Sequence, residues 1–224
     1  MAMPKKPIVQ NSDKQTSSHR LSVMIREAVL SGEFQPGQRI KIAELSKRFE
    51  MSPMPVREAL LFLEGEGLVE ISAHRGAVIR KLDAKFVHNM YEIRRSLEAL
   101  LMAEAATRFR ADGIARLRQA QDRYERTPPG DTTALLRCNS EFHEIINTVG
   151  DNEDASRLLG RGWDLIHALR LQFGFGVERI RQIAEEHRKL IDAISEGDKD
   201  RALEISDQHC RSARDDMLAR MAEG

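Results

Sequence analysis

Residues Pro36 to Lys81 read PGQRIKIAELSKRFEMSPMPVREALLFLEGEGLVEISAHRGAVIRK, and the order of signals within them leaves few folds open. A short helical pattern, Ile42 to Phe49, meets a tight turn at Glu50-Met51. A second helix opens at Ser52, runs through Val56, Leu60 and Leu63, and stops at Glu64-Gly65-Glu66-Gly67. Two short apolar runs follow, Leu68 to Ile71 and Ala77 to Ile79, on either side of Ser72-Ala73-His74-Arg75-Gly76. Helix, turn, helix and hairpin in that order predict a winged helix-turn-helix, whose second helix enters the major groove of duplex DNA.

The demands of that role fall on particular residues. The N-terminus of the reading helix must come close to phosphates and base edges, where free N–H groups and small or basic side chains serve it. Ser52 fits the N-cap, with Met54 in the first turn. Pro53 and Pro55 sit where a missing N–H costs nothing. Arg57, one turn in, can reach a phosphate or a guanine edge, and it also reads as half of a helix salt bridge. Lys47 and Arg48 flank the turn. His74, Arg75 and Gly76 form the hairpin tip, where Gly76 allows close backbone approach.

Around this unit the chain divides. Residues 1–17, rich in Pro, Lys, Ser and Gln, predict a disordered tail. A helix from about Ser18 to Leu30 carries Leu21, Met24, Ile25, Ala28 and Val29 at helical spacing. Gly32 ends it, and a turn follows at Gln35-Pro36-Gly37. Residues 18–82 thus make one domain. From Asp83 on the strand signal vanishes. Asp83 fits an N-cap, with Leu82 and Val87 placed as a hydrophobic staple. The helix that follows runs to about Arg108, with Phe86, Met90, Ile93, Leu97, Leu100 and Leu101 inward. Breakers then delimit Gly113–Arg126, Thr132–Val149, Asp154–Phe173, Val177–Ser195 and a last helix from Asp198 to about Ala222. Six helices with short connections predict an antiparallel bundle over residues 83–224. The fold class is mainly α, with one small β-hairpin.

Composition limits what such a chain does. Of its 224 residues, 41% are hydrophobic and 31% charged, enough for real cores under a soluble surface. No apolar run approaches the roughly 18 residues of a membrane span, and the N-terminus lacks the apolar core of a secretory signal. Cys138 and Cys210 lack metal-ribbon spacing and read as reduced thiols of a cytoplasmic protein. Residues 1–82 hold 13 Lys and Arg against 9 Asp and Glu, and the remainder hold 22 against 26. A basic front half suits a nucleic-acid module.

The bundle carries polar residues on apolar faces. His143 follows Leu135, Asn139 and Phe142. His187 sits with Ile183 and Leu190, and His209 with Ala202 and Ile205. One such histidine is usually a hydrogen-bonded core residue. Three on three helices can converge, and three imidazoles suit Zn, Ni, Co or Fe. Arg94 and Glu98 stand i,i+4, the spacing of a helix salt bridge. Trp163, Ile166 and Arg170 share one helix face, which makes Arg170 a second candidate for anion binding.

At this point the residues resemble a known family. PGQRI, IAELSKRFEMSPMPVREAL, LEGEGLV and RGAVI resemble the DNA-binding domain of GntR-family transcriptional regulators, over about residues 18–81. Many members carry Arg at position 53 and Thr at position 54, so the DNA site read here is expected to differ. Residues 83–224 look like the all-helical FCD domain of the FadR subfamily, through Tyr91–Glu98 (YEIRRSLE), Asn139–His143, Glu186–Leu190 and Gly197–His209. That resemblance implies a divalent metal held by three His and an Asp, which places His143, His187 and His209 as ligands. The Asp position is Asn139 here, a poorer, neutral ligand, so weaker affinity is expected, with water or an effector carboxylate completing the sphere. It also implies an effector pocket near Arg94 and Glu98, where a guanidinium fork suits a small organic acid. Similar regulators bind palindromic operators as homodimers.

Two other readings fit the residues alone. A metal-dependent hydrolase would use the three histidines to activate water, but no HExxH accompanies them, and Glu186 points to another side of its helix from His187. An architectural DNA binder with an inert dimerisation bundle leaves the buried polar groups unexplained.

Overall fold

The structure, a computed structural model, describes residues 12–223 apart from 32, 36, 73–75 and 162. It divides into two compact units that part between Lys81 and Leu82.

In the first unit, α1 spans Ser12–Leu30, α2 Ile42–Arg48 and α3 Pro53–Gly65. The first helix opens six residues earlier than its apolar spacing predicts, so the polar segment 12–17 is helical. Only residues 1–11 of the expected tail lie outside the described residues, as do Gly32 and Pro36 of the expected turn. Buried Leu21, Ile25, Ala28 and Val29 face Val56, Ala59, Leu60 and Leu63 of α3, the face that a 3.6-residue period sets. The turn between α2 and α3 passes through Glu50 at φ 52°, a left-handed residue that reverses the chain.

The wing is β2 (Val69–Ser72) against β3 (Gly76–Ile79), antiparallel, with Val69 opposite Ile79 and Ser72 opposite Gly76. A third strand escaped the sequence: β1, Arg39–Ile40, pairs with the other edge of β3, giving the order β1-β3-β2. Two residues are too short for an alternating pattern. This strand gives its own reason for Gly76. At φ +78° its missing Cβ would lie 2.7 Å from the Ile40 carbonyl oxygen, so the neighbouring strand by itself requires glycine here. We expect Gly76→Ala to destabilise this unit by about 1–2 kcal/mol from the backbone conformation alone. Urea unfolding followed by helical signal measures it, and an unchanged midpoint would refute the role assigned to β1.

The second unit is all helical: α4 (Ala84–Arg108), α5 (Ala111–Arg126), α6 (Thr132–Gly150), α7 (Glu153–Arg161), α8 (Trp163–Phe173), α9 (Val177–Glu196) and α10 (Lys199–Glu223). Asp83 caps α4 by accepting from the Phe86 N–H at 2.9 Å. Asp131 does the same for α6 through the Ala134 N–H. The expected helix Asp154–Phe173 is covered by α7 and α8, and residue 162 between them lies outside the described residues.

The inward face of α4 also differs from expectation. Phe86, Val87, Tyr91, Arg94, Glu98, Leu101, Met102 and Ala105 are buried, whereas Ile93 is 54% and Leu100 48% exposed. Arg94 and Glu98 rotate the apolar pattern because they are part of the interior. The main core joins α4, α5, α6, α9 and α10 through Met102, Leu117, Phe142, Ile146, Leu190 and Ala202. A satellite cluster of Tyr124, Leu135, Cys138 and Ile183 lies beside it. Where α4 crosses α6, Gly150 would put a Cβ 2.7 Å from the Leu101 carbonyl oxygen.

Candidate functional site

In the first unit, the N-terminus of α3 is built for contact. Ser52 is its N-cap in extended conformation, yet its hydroxyl makes no capping bond and stands exposed. Met54 is 62% exposed beside it. Arg57 is exposed and, among the described residues, has no ion pair, so the helix salt bridge weighed from its spacing does not form. Lys47 is likewise exposed. Arg48 differs. It pairs with Glu33 and lies over Phe34, 5.0 Å from the ring centroid, and Phe49, at 5.4 Å. Its guanidinium ties the end of α2 to the loop before β1, so part of its donor capacity is spent within the fold. His74 and Arg75 lie outside the described residues.

In the second unit the three histidines converge. His143 on α6, His187 on α9 and His209 on α10 are buried, and one ligand nitrogen from each lies within 4.8 Å of the others. His143 Nε2 and His209 Nε2 are 3.2 Å apart. Two nitrogens on one tetrahedral metal at about 2.0–2.1 Å bond length would stand about 3.3 Å apart. The His187 ring stacks on Phe142, with centroids 3.9 Å apart and planes 4° from parallel. Burial drives His143 and His187 well below the ordinary histidine range. It also lowers His209, against the opposing pull of Glu186. At neutral pH the site therefore holds neutral imidazoles, the form that binds metal.

The partners of these rings orient them. His209 Nδ1 donates to Glu186 Oε2 at 2.7 Å, which leaves Nε2 as the lone-pair nitrogen. Burial by itself would raise the Glu186 carboxyl. Hydrogen bonds from His209 and Arg179 outweigh burial and hold it at about 2. His187 Nδ1 meets Gln121 Oε1 at 2.9 Å, and His187 Nε2 is buried without a partner. Asn139, one turn before His143, is also buried with Oδ1 unpartnered. Buried polar atoms are nearly always paired, so two orphans beside three neutral imidazoles fit a cation. The donor set would be His143, His187 and His209, with Asn139 as a weak neutral fourth.

Arg94 and Glu98 form a buried charge pair within α4, close but not aligned as a hydrogen bond. Glu98 Oε2 accepts from the Cys210 thiol at 2.8 Å, and burial holds that thiol protonated. The Arg94 guanidinium lies 3.5 Å from the Trp163 ring centroid. Beside it opens a cavity of about 540 Å³ whose lining includes Arg94, Ser140, His143, Asn147, Ser156 and Trp163. A small internal pocket of about 30 Å³ brings Arg94 together with Asn139, Arg179 and His209.

Arg170 lines that small pocket too, but three of its five N–H donors are engaged within the fold. It pairs with Asp216 and donates to the carbonyls of Gly174 (3.2 Å) and Ala213 (2.6 Å), with Phe175 4.6 Å away. These bonds give it a structural role and leave fewer donors for the anion expected there. Arg179 fits the pocket better. Its Nε is buried without a partner, while Nη1 reaches Glu186 and Nη2 donates to the His209 carbonyl at 3.1 Å. Neither Arg179 nor Gln121 was identified from the sequence. Arg179 and Glu186 stand i,i+7 on one face of α9, and Gln121 interrupts the buried stripe of Leu117, Ala120 and Tyr124. Both were legible signals.

Two family models match the chain. The model for "Bacterial regulatory proteins, gntR family" matches residues 18–79, and that for "FCD domain" matches residues 89–212. The uncharacterized HTH-type transcriptional regulator YdhC of Bacillus subtilis (strain 168) is 31% identical over 80% of each chain. A GntR transcriptional regulator from Rhodococcus sp. RHA1 superposes with TM-score 0.65 at 21% identity, covering 91% of this chain and 98% of its own. The metal-free FCD domain of TM0439 matches with TM-score 0.53 at 20% identity, over 64% of this chain and 99% of its own. The chain therefore belongs to the gntR family of bacterial regulatory proteins, with a helix-turn-helix followed by an FCD domain, and is a transcriptional regulator rather than an enzyme.

Proposed function

We propose that this regulator binds a palindromic DNA operator as a homodimer in the cytoplasm, and that a small carboxylate effector at a divalent-metal centre sets its operator affinity. The observation that carries this reading is the buried set of three neutral histidines with orphaned His187 Nε2 and Asn139 Oδ1. His143, His187 and His209 would hold the ion. When bound, it supplies a positive anchor for an anionic oxygen. Asn139 leaves the site one negative charge short of a carboxylate-bearing set, which favours an anionic ligand. Arg94, on the wall shared with His143, offers the second anchor, with Arg179 deeper in.

A face for a second copy is suggested by exposed Ile93 and Leu100 on α4, with half-buried Leu97 between them, an apolar row at i, i+4 and i+7. The two DNA units of such a dimer would meet two half-sites, and effector binding would act by preferring one relative pose of those units.

The DNA half of the reading is tested at Arg57. Arg57→Ala should weaken specific operator binding by about 1–3 kcal/mol if the arginine makes a bidentate base contact. Selection from genomic DNA followed by binding at fixed salt measures it. Uniform, salt-labile binding with no palindromic site would sink this half.

The effector half is tested by thermal shift against a panel of organic acids. Acids that bind should raise the melting temperature by mass action, lose that effect in Arg94→Ala, and change operator affinity reciprocally. Stabilisation by uncharged or cationic compounds alone would contradict it.

A further inference from the structure

A chain of bonds running inward from the surface fixes the chemistry of one nitrogen in the histidine cluster. Arg188 Nε donates to Glu125 Oε1 at 2.7 Å, and Arg188 Nη2 lies 2.6 Å from Glu125 Oε2. Glu125 Oε1 also accepts from Gln121 Nε2 at 2.7 Å. The Ala184 carbonyl accepts from the same nitrogen at 3.2 Å. Both neighbours of that end of the amide are acceptors only, so flipping it would set oxygen against oxygen twice. Gln121 Oε1 must therefore face the interior. There it meets His187 Nδ1 at 2.9 Å. A carbonyl oxygen cannot donate, so Nδ1 carries the proton. Nε2 is buried with no acceptor in reach to take a second proton, so it carries none.

The result is a buried nitrogen lone pair with no hydrogen-bond partner. It belongs to a ring clamped between Gln121 and the stacked face of Phe142. We propose that Gln121 is a positioning residue: it fixes His187 as the Nδ1–H tautomer and so presents Nε2 as a donor to a divalent cation. Glu186 does the same for His209 through a carboxylate. Gln121 does it through a neutral amide, whose orientation is enforced by an ion pair at the surface. The proposal rests on the metal reading above, but it makes a claim about the metal-free protein that stands separately. A side chain that only filled space at position 121 would be replaceable by any residue of its volume. A tautomer-setting one requires an acceptor at that atom.

The test uses the full chain labelled with ¹⁵N-histidine and stripped of metal. Long-range ¹H–¹⁵N correlation should show His187 as a single tautomer, protonated at Nδ1 and bare at Nε2. Gln121→Met keeps the stem and volume and removes the acceptor. The Nε2–H form should then appear, and affinity for Zn²⁺ alone should fall about 10–100-fold. The wild-type spectrum needs no variant, so a failure of Gln121→Met to fold leaves the claim exposed to refutation. A wild-type His187 protonated at Nε2 overturns the proposal and leaves the metal reading standing. Equal Zn²⁺ affinity in Gln121→Met overturns it too. The expected tautomer together with no Zn²⁺ uptake by the wild type would overturn both the metal reading and the donor role given to Gln121.

Discussion

Replacing Asp216 by alanine is expected to cost the helical unit about 3–5 kcal/mol, the penalty for stranding one member of a buried ion pair. Arg170 is 2% exposed, and its guanidinium is buried in the bundle. Asp216 neutralises that charge from α10. Through its other oxygen it accepts from the Gly176 N–H at 3.2 Å. One carboxylate thus joins α10 to the end of α8 and to the start of α9. In Asp216→Ala the two carbonyls and the Phe175 face remain with Arg170, but none of them carries a negative charge. Asp216→Asn, which keeps the shape and loses the charge, should cost less. Urea unfolding of both variants gives the numbers. An Asp216→Ala protein within 1 kcal/mol of wild type would mean that water reaches the guanidinium, and Arg170 would return as a candidate for binding an anion.

That case marks where sequence reading stopped short. The i,i+4 and i,i+7 rules say which residues share a helix face, so the three histidines and Asn139 were legible as inward polar residues, and their grouping as one ligand set came from the family resemblance. The rules do not say which charged neighbour another helix supplies. Arg170 looked free because Asp216 lies 46 residues away. Arg57 and Arg48 looked alike because the loop bringing Glu33 to Arg48 has no periodic signal.

The wing shows the same limit. The order helix, turn, helix, hairpin was readable from Pro36 to Lys81, because each element is long enough to have a period and is bounded by turn chemistry. The two-residue β1 is not, and with it went the reason for Gly76. On α4, hydrophobicity put Ile93 and Leu100 inside. The buried Arg94–Glu98 pair shows that a polar interior can turn a helix face away from its apolar residues.

The proposed metal centre is the second place where a single change should have a large effect. His187→Ala removes a donor whose Nε2 has no other partner, and it also removes the ring stacked on Phe142. Loss of a partner behind a ligand typically costs 10–100-fold in metal affinity, so loss of the ligand itself should exceed about 100-fold. Asn139→Asp should act in the opposite direction, because it adds a carboxylate where a neutral amide oxygen now lies orphaned. Opposite signs from two neighbouring core substitutions cannot come from general loosening of the bundle, which would weaken binding in both. The decisive measurement is calorimetric titration of Zn²⁺ into metal-stripped wild type, His187→Ala and Asn139→Asp. One ion per chain, tighter in Asn139→Asp and lost in His187→Ala, is the predicted result. No heat in the wild type, or the same heat after His187→Ala, would contradict the metal centre and make the three histidines core residues.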